Sequence, residues 1–123
     1  MSSVSKIVDS EYEIMKVLWN ENPLTANEIF LKLSEKKSWS KSTVITLINR
    51  LVDKGALNSA KRGVYFYSPI VSKADYTQYH AENFLKKMFN GNAKNLLAYF
   101  CNHENITIED LNELKQKIEG REM

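Results

Sequence analysis

The residues best suited to chemistry lie on one face of a helix predicted over residues 40–54. At about 100° per residue, this helix has one apolar side and one side of short polar residues. The apolar side consists of Val44, Leu47, Ile48 and Leu51, and the polar side of Ser42, Thr46, Asn49 and Asp53. Serine, threonine and asparagine donate and accept hydrogen bonds without holding a helix backbone away from its ligand. The pattern therefore favours close contact with base edges in double-stranded DNA.

Basic residues flank this polar face in the sequence. The cluster consists of Lys41, Arg50, Lys54, Lys61 and Arg62. We expect Lys41, Arg50, Lys61 and Arg62 to contact DNA phosphates, which position a protein but carry little sequence information. The formal net charge of only +2 hides this cluster, because acidic residues concentrate near the C-terminus. Since a solvated surface of mixed charge gives the same composition, the charge alone does not decide between the two interpretations.

Three residues near the start of this helix have two interpretations each. Ile45 lies on the flank of the polar side, where it either packs on neighbouring elements or touches a thymine methyl group. Ser42 and Thr43 either cap the helix N-terminus or contact DNA, because a helix N-terminus also binds phosphate. We include all three, together with Thr46 and Asn49, among the predicted DNA-binding residues.

An enzyme or a metal protein is the first alternative, with His80, Cys101, His103 and Glu104 as candidates. Cys101 and His103 are too close in sequence to form an obvious nucleophile and base, and no P-loop, G-x-S-x-G or H-E-x-x-H motif is present. The spacing of His80, Cys101 and His103 matches no structural zinc pattern, although ligands can converge in a fold. We therefore predict no catalytic centre, no cofactor and no metal site, and interpret Cys101 as a small buried hydrophobic residue.

Local signals predict the elements that position the polar face. Capping signals precede the apolar stripes of three closely spaced helices, and they are Ser10 with Glu13, Thr25 with Glu28, and Ser40. Gly55 is placed to end the third helix in a left-handed conformation. Segments 57–60 and 64–67 then predict a hairpin with Lys61, Arg62 and Gly63 at its tip. This order is that of a winged helix-turn-helix, whose third helix enters the major groove.

The rest of the chain has a different character. Residues 1–70 are predicted to form the winged-helix DNA-binding domain, and residues 71–123 a helical dimerisation domain, so that the fold is mainly α. The second region has more large apolar residues than so short a segment can bury alone. The residues expected in the dimer interface are Tyr79, Phe84, Met88, Phe89, Leu97, Phe100, Leu111 and Leu114. A winged-helix module that binds protein instead of DNA is the remaining alternative.

Composition and apolar patterning indicate where the protein acts. No apolar run approaches the length of a membrane span, and residues 1–10 lack the apolar centre of a signal peptide. A single cysteine excludes an internal disulfide framework. We expect a cytoplasmic protein that does not insert into membranes.

The segment from Trp39 to Leu51, W-S-K-S-T-V-I-T-L-I-N-R-L, resembles the recognition segment of the penicillinase-repressor family, of the BlaI and MecI type. The early run E-Y-E-I-M-K-V-L-W, the K-G-A-L after the third helix and the aromatic strand Val64 to Tyr67 are also similar to that family. The resemblance implies a cytoplasmic homodimer that represses genes by binding a palindromic operator. Its winged helix would bind the DNA, and its C-terminal helices would form the dimer interface.

In antibiotic-responsive members of this family, a membrane sensor protease triggers cleavage in the C-terminal region. The resemblance implies a sensor-dependent protease as a further partner, with a cleavage junction corresponding to Tyr99 and Phe100. The sequence departs from the family at this point, where the family has Asn before the Phe. It also has Lys41 where the antibiotic-resistance repressors have Pro, and a single cysteine where copper-responsive relatives have a cysteine-rich motif.

Overall fold

The computed structural model describes residues 3–122, with side chains described for residues 4–120. The helices are α1 (Asp9–Asn20), α2 (Ala26–Leu33), α3 (Lys41–Asp53), α4 (Lys73–Phe89), α5 (Ala93–His103) and α6 (Ile108–Glu122), preceded by a 3-10 turn at Ser3–Lys6. The strands are β1 (Leu24–Thr25), β2 (Leu57–Arg62) and β3 (Val64–Pro69). The chain divides into two compact units, one ending at His80 and the other beginning at Ala81. The functional boundary after residue 70 stays a prediction.

Two of the three predicted helix starts in the first unit are confirmed. The Thr25 hydroxyl accepts from the Glu28 N–H at 3.2 Å, and the Glu28 carboxylate accepts from the Thr25 N–H at 2.8 Å, so this capping box is complete. The Ser40 hydroxyl accepts from the Thr43 N–H at 3.2 Å at the start of α3. These bonds satisfy amide groups that a helix N-terminus would otherwise leave without partners.

The predicted capping box of Ser10 with Glu13 is wrong. The N-cap of α1 is Val8, and the Glu11 carboxylate accepts from its backbone N–H at 3.1 Å. The helix therefore begins at Asp9, one residue before Ser10, and Ile7 just ahead of it is buried in the core. Glu13 instead forms an ion pair with Lys16 at 3.2 Å.

The end of α3 is closed as the sequence predicts. Gly55 has a φ of 79°, which only glycine adopts without strain. Its N–H donates to the Val52 carbonyl at 3.0 Å, and the Ala56 N–H donates to the Leu51 carbonyl at 2.9 Å. These two bonds form a Schellman motif, which fixes the chain direction between α3 and β2.

The three strands form one antiparallel sheet in the order β1-β3-β2. The predicted hairpin is confirmed, but its tip is narrower than expected. Arg62 pairs directly with Val64, so Lys61 and Arg62 belong to β2 and Gly63 alone separates the strands. The third strand, β1, was not predicted, and it pairs with the base of β3 through Leu24 and Tyr67.

The core of the first unit lies between α1, α2, α3 and the base of the sheet. Its buried apolar residues include Ile14, Met15, Leu18, Leu24, Ile29, Leu33, Val44, Leu47, Ile48, Leu51, Leu57 and Val71. The core also reaches past residue 70, because the Trp19 indole N–H donates to the Val71 carbonyl at 2.9 Å. The Tyr76 ring stacks on the Tyr12 ring with centroids 5.0 Å apart. The start of α4 is therefore packed on the winged helix.

The second unit is helical, and many of its apolar residues are exposed. Asn90 and Gly91 both have positive φ and end α4. Thr107 with Asp110 forms a capping box at the start of α6, with bonds of 2.9 and 3.1 Å. None of residues 81–120 is buried. Large apolar residues that are exposed here include Phe84, Met88, Leu97, Phe100, Leu114 and Ile118. Across residues 3–122, no helix is long and apolar enough to cross a membrane.

Candidate nucleic-acid interface

The two sides of α3 separate as the sequence predicts. The four residues of the apolar side, Val44, Leu47, Ile48 and Leu51, are all buried. Ser42, Thr46 and Asn49 are exposed on the other side. Because the buried side is fully packed against α1, α2 and the sheet, the polar side is presented on a rigid element. Such support allows short side chains to meet a ligand in a defined geometry.

Hydroxyl groups at the start of α3 form a local network. The Ser40 hydroxyl oxygen lies 3.0 Å from both the Ser42 and the Thr43 hydroxyl oxygens. One turn later the Thr46 hydroxyl donates to the Ser42 carbonyl at 2.9 Å. This bond uses the only hydroxyl hydrogen of Thr46, so its oxygen remains available as an acceptor. Thr46 is thus prepared to accept a hydrogen bond from a base amino group.

Ile45 lies beside this network and is 37% exposed. The side chain of Asn49 is also exposed, one turn beyond it along α3. An asparagine side chain can pair in bidentate fashion with adenine, and an apolar side chain can contact the thymine methyl group. The exposed face of α3 therefore combines acceptor, donor and apolar groups that can distinguish one base edge from another.

The basic side chains predicted to bind phosphate are exposed. Lys41 and Arg50 lie on α3, and Lys61 and Arg62 lie on β2. Among residues 4–120, no ion pair engages any of these four. Consecutive strand residues point to opposite faces of a sheet, so Lys61 and Arg62 project from the two faces of the wing. The Lys61 Nζ lies 5.8 Å from the centroid of the Tyr65 ring, its cross-strand partner.

At its base the wing is anchored by Tyr67. This residue packs against the core and pairs with Leu24 of β1. Burial raises the pKa of the Tyr67 phenol above its usual value, and the neighbouring Tyr65 adds to the effect. Since the ordinary phenol pKa of about 10 already lies well above physiological pH, the Tyr67 side chain is neutral there.

Lys54 differs from the rest of the basic cluster. Its Nζ lies 2.6 Å from the Oε1 of Glu11, a carboxylate that is 1% exposed. Lys54 therefore does not belong with the exposed cations of the basic cluster, because its charge is paired with a buried carboxylate. The spacing of Glu11 with Ile14, Met15 and Leu18 could have revealed this, since it puts a carboxylate on the buried stripe of α1.

The histidines and the cysteine are engaged in ordinary contacts. His103 Nδ1 lies 2.9 Å from the Tyr99 carbonyl, and the two rings stack. The His80 ring packs on Tyr76 with centroids 4.3 Å apart. Cys101 is only half-buried, so the expectation of a buried residue is wrong. Among residues 3–122, no three His, Cys, Asp or Glu side chains are placed to hold a metal ion.

The residues predicted for the dimer interface fall in both units. Tyr79 belongs to the first unit and packs against its core. The others lie in the second unit, where Phe84, Met88, Leu97, Phe100 and Leu114 are exposed and Phe89 and Leu111 are half-buried. Tyr99 and Phe100, the predicted cleavage junction, are both exposed and lie inside α5.

Comparison with known proteins decides the family. A family model described as the penicillinase repressor matches residues 7–120. The chain belongs to the penicillinase repressor family. It is 35% identical to the penicillinase repressor of Bacillus licheniformis over 97% of this chain and 94% of that protein. It is 30% identical to the methicillin resistance regulatory protein MecI of Staphylococcus aureus, strain N315, over 89% of this chain and 90% of that protein.

Two solved structures of this family share the fold of the first unit. The solution structure of the DNA-binding domain of the repressor BlaI is 40% identical, with a TM-score of 0.55, over 62% of this chain and 94% of that one. The monomeric form of Bacillus licheniformis BlaI, solved in complex with the blaP half-operator, is 42% identical, with a TM-score of 0.51, over 57% of this chain and 87% of that one. The winged helix is thereby confirmed, and the chain is a member of a repressor family and not an enzyme.

Proposed function

We propose that this penicillinase repressor family member is a homodimeric transcriptional repressor that binds a palindromic operator. In this proposal α3 enters the major groove, while the hairpin of β2 and β3 lies along the phosphates. The observation that carries it is the exposed polar face of α3, held from behind by four fully packed apolar residues. The BlaI relative solved with a half-operator supports the same class of ligand.

The residues of the site take different roles in this binding. Thr46 and Asn49 read base edges, and Ile45 contacts a thymine methyl group. Ser42 and Thr43 lie at the N-terminal end of α3, where backbone amides and hydroxyls suit a phosphate. The exposed cations Lys41, Arg50, Lys61 and Arg62 bind the backbone and supply affinity that does not depend on sequence.

The second unit supports dimerisation, because its described residues include none that is buried and several large apolar ones that are exposed. An exposed apolar surface of this kind marks an interaction site. Two identical chains related by a two-fold axis would present two recognition helices to the two halves of a palindrome. A cytoplasmic location follows if the operator is chromosomal.

Release by proteolysis at Tyr99–Phe100 is the further part of this proposal. Both residues lie within α5, which a protease would have to open locally before cutting. The exposure of the two side chains, with no buried residue among residues 81–120, supports such opening. A sensor-dependent protease would be the partner for this step.

The proposal is tested by selecting a duplex from a random-sequence pool with the wild-type protein. Thr46→Ala and Asn49→Ala should each weaken binding to the selected duplex by about 1–3 kcal/mol, the usual loss for one base contact. Fluorescence anisotropy on the selected and on a random duplex measures the change. Thr77→Ala and Asn83→Ala on exposed positions of α4 are the matched controls. Equal losses on both duplexes would show that α3 does not read bases.

A further inference from the structure

An ion pair between the buried Glu11 carboxylate and the partly exposed Lys54 links the first turn of α1 to the end of α3. The Oε1 of Glu11 accepts hydrogen bonds from Lys54 Nζ at 2.6 Å and from the Val8 N–H at 3.1 Å. Lys54 Nζ also donates to the carbonyl oxygen of Lys6 at 2.8 Å. One carboxylate and one ammonium therefore join three segments, which are the N-terminal turn, α1 and α3.

Stability alone gives little reason for this pair. Removing the Glu11 carboxylate from water is costly, and apolar side chains of similar volume are often as stabilising in place of such a pair. Lys54 keeps 26% of its side chain exposed. The Oε2 of Glu11 is also buried and has no hydrogen-bond partner within the described part of the chain. A buried oxygen in this state costs free energy that a hydrophobic side chain would not. Beyond the cap that Glu11 makes to the Val8 N–H, the benefit of the pair therefore lies in the geometry that it imposes.

That geometry concerns the recognition helix. Lys54 is the C-cap residue of α3, and the Schellman bonds at Gly55 and Ala56 follow directly. At about 1.5 Å per residue, Lys54 lies only about 7.5 Å along the axis from Asn49. Because a helix moves nearly as a rigid body, a shift at its C-terminal end displaces the exposed face as well. Recognition is sensitive to displacements of about 0.5 Å.

We propose that Glu11 is a positioning residue for DNA recognition. Through Lys54 it sets where the C-terminal half of α3 lies against α1, and so where Asn49 meets a base pair. Lys54 acts in this pair and not as a phosphate ligand. The inference rests on the proposed function, since it describes how that same helix is aimed.

The test replaces both charges together with Glu11→Met and Lys54→Met, which keeps the net charge and the approximate volume. The wild type and the double variant are titrated onto the duplex selected by the wild type and onto a random duplex, at several salt concentrations. We expect the ratio of specific to non-specific affinity to fall by about tenfold, the scale of one lost base contact. The salt dependence should stay unchanged, and unfolding should stay cooperative with a urea midpoint lowered only by the lost cap at Val8. Lys54→Arg, which can donate to both acceptors, should retain the ratio.

The matched control is Glu21→Met with Lys32→Met. That pair also joins two elements, at 2.8 Å, but its side chains are 57% and 44% exposed. The ratio should not change in this control.

Three outcomes would overturn the inference. An unchanged ratio in the double variant would show that α3 needs no such alignment. A salt slope lower by about 0.9 per protomer would make Lys54 a phosphate ligand. Loss of a cooperative unfolding transition would assign the pair to folding instead. If the wild type itself shows no sequence preference, the proposed function fails first, and that result is visible before any variant is measured.

Discussion

The electrostatic role of the wing leads to a quantitative prediction. Lys61 and Arg62 are exposed at the end of β2 and have no ion-pair partner among residues 4–120. Each phosphate contact contributes about 0.9 to the slope of the logarithm of affinity against the logarithm of salt concentration. Lys61→Gln with Arg62→Gln should therefore lower the slope by about 1.8 per wing, and by about 3.6 when both wings of a dimer are engaged.

This difference in slope corresponds to a large difference in how affinity responds to salt. Between about 50 and about 200 mM salt, the wild type should lose about two orders of magnitude more affinity than the double variant. Fluorescence anisotropy on the selected and random duplexes measures both slopes, and the specificity ratio should stay constant because phosphate contacts carry little sequence information.

Controls distinguish the wing from a general effect of charge. Lys86→Gln with Lys87→Gln removes the same two charges from exposed positions of α4 in the second unit. Because Lys61 and Arg62 project from opposite faces, the two single variants show whether both faces meet DNA. An unchanged slope in the double variant would refute the electrostatic role. A collapse of the specificity ratio would instead show that the wing reads a narrow minor groove.

Two further predictions concern the winged unit itself. A chain ending at residue 70 should be less stable to urea than one ending at residue 80, by about 1.5–3 kcal/mol from the lost burial of Val71 alone; equal midpoints would contradict the packing described for the start of α4. Burial, together with the neighbouring Tyr12 and Asp9, raises the pKa of Tyr76 above its ordinary value of 10.0, so the folded state favours the neutral phenol. Its contribution to stability is complete below about pH 10 and is lost as the pH rises through the folded-state pKa. Urea unfolding of Tyr76→Phe should therefore show a smaller loss of stability at alkaline pH than the wild type, and identical pH profiles would rule out this ionisation as a cause.

Local hydrogen bonds explain which elements the sequence predicts well. The caps at Thr25 and Ser40 and the stop at Gly55 depend on residues within a few positions of each other. The polar face of α3 follows from the same kind of short-range regularity, because helical periodicity alone separates buried from exposed positions. Ser10 shows the limit of such signals, since the cap of α1 is the bond from the Val8 N–H to Glu11 and not the Ser10 pattern.

Long-range contacts explain what the sequence does not predict. β1 has only two residues and exists through its pairing with Tyr67 and Phe66, far along the chain. The pairing of Lys54 with Glu11 spans 43 positions. Local sequence patterns do not reveal such a pair, and they group Lys54 with the other basic residues of the cluster. Tyr76 packs on Tyr12, which is also distant in sequence. The first unit therefore extends to His80, beyond residue 70.

The most direct test of the central claim is the mass and the affinity of the complex on a full and on a half duplex. Analytical ultracentrifugation should find two chains on the palindromic duplex selected by the wild type. On half of that duplex the affinity should be much lower, because joining two half-site binders raises their effective concentration. One chain on each duplex with equal affinity, or a selected site without two-fold symmetry, would contradict a dimeric operator-binding repressor.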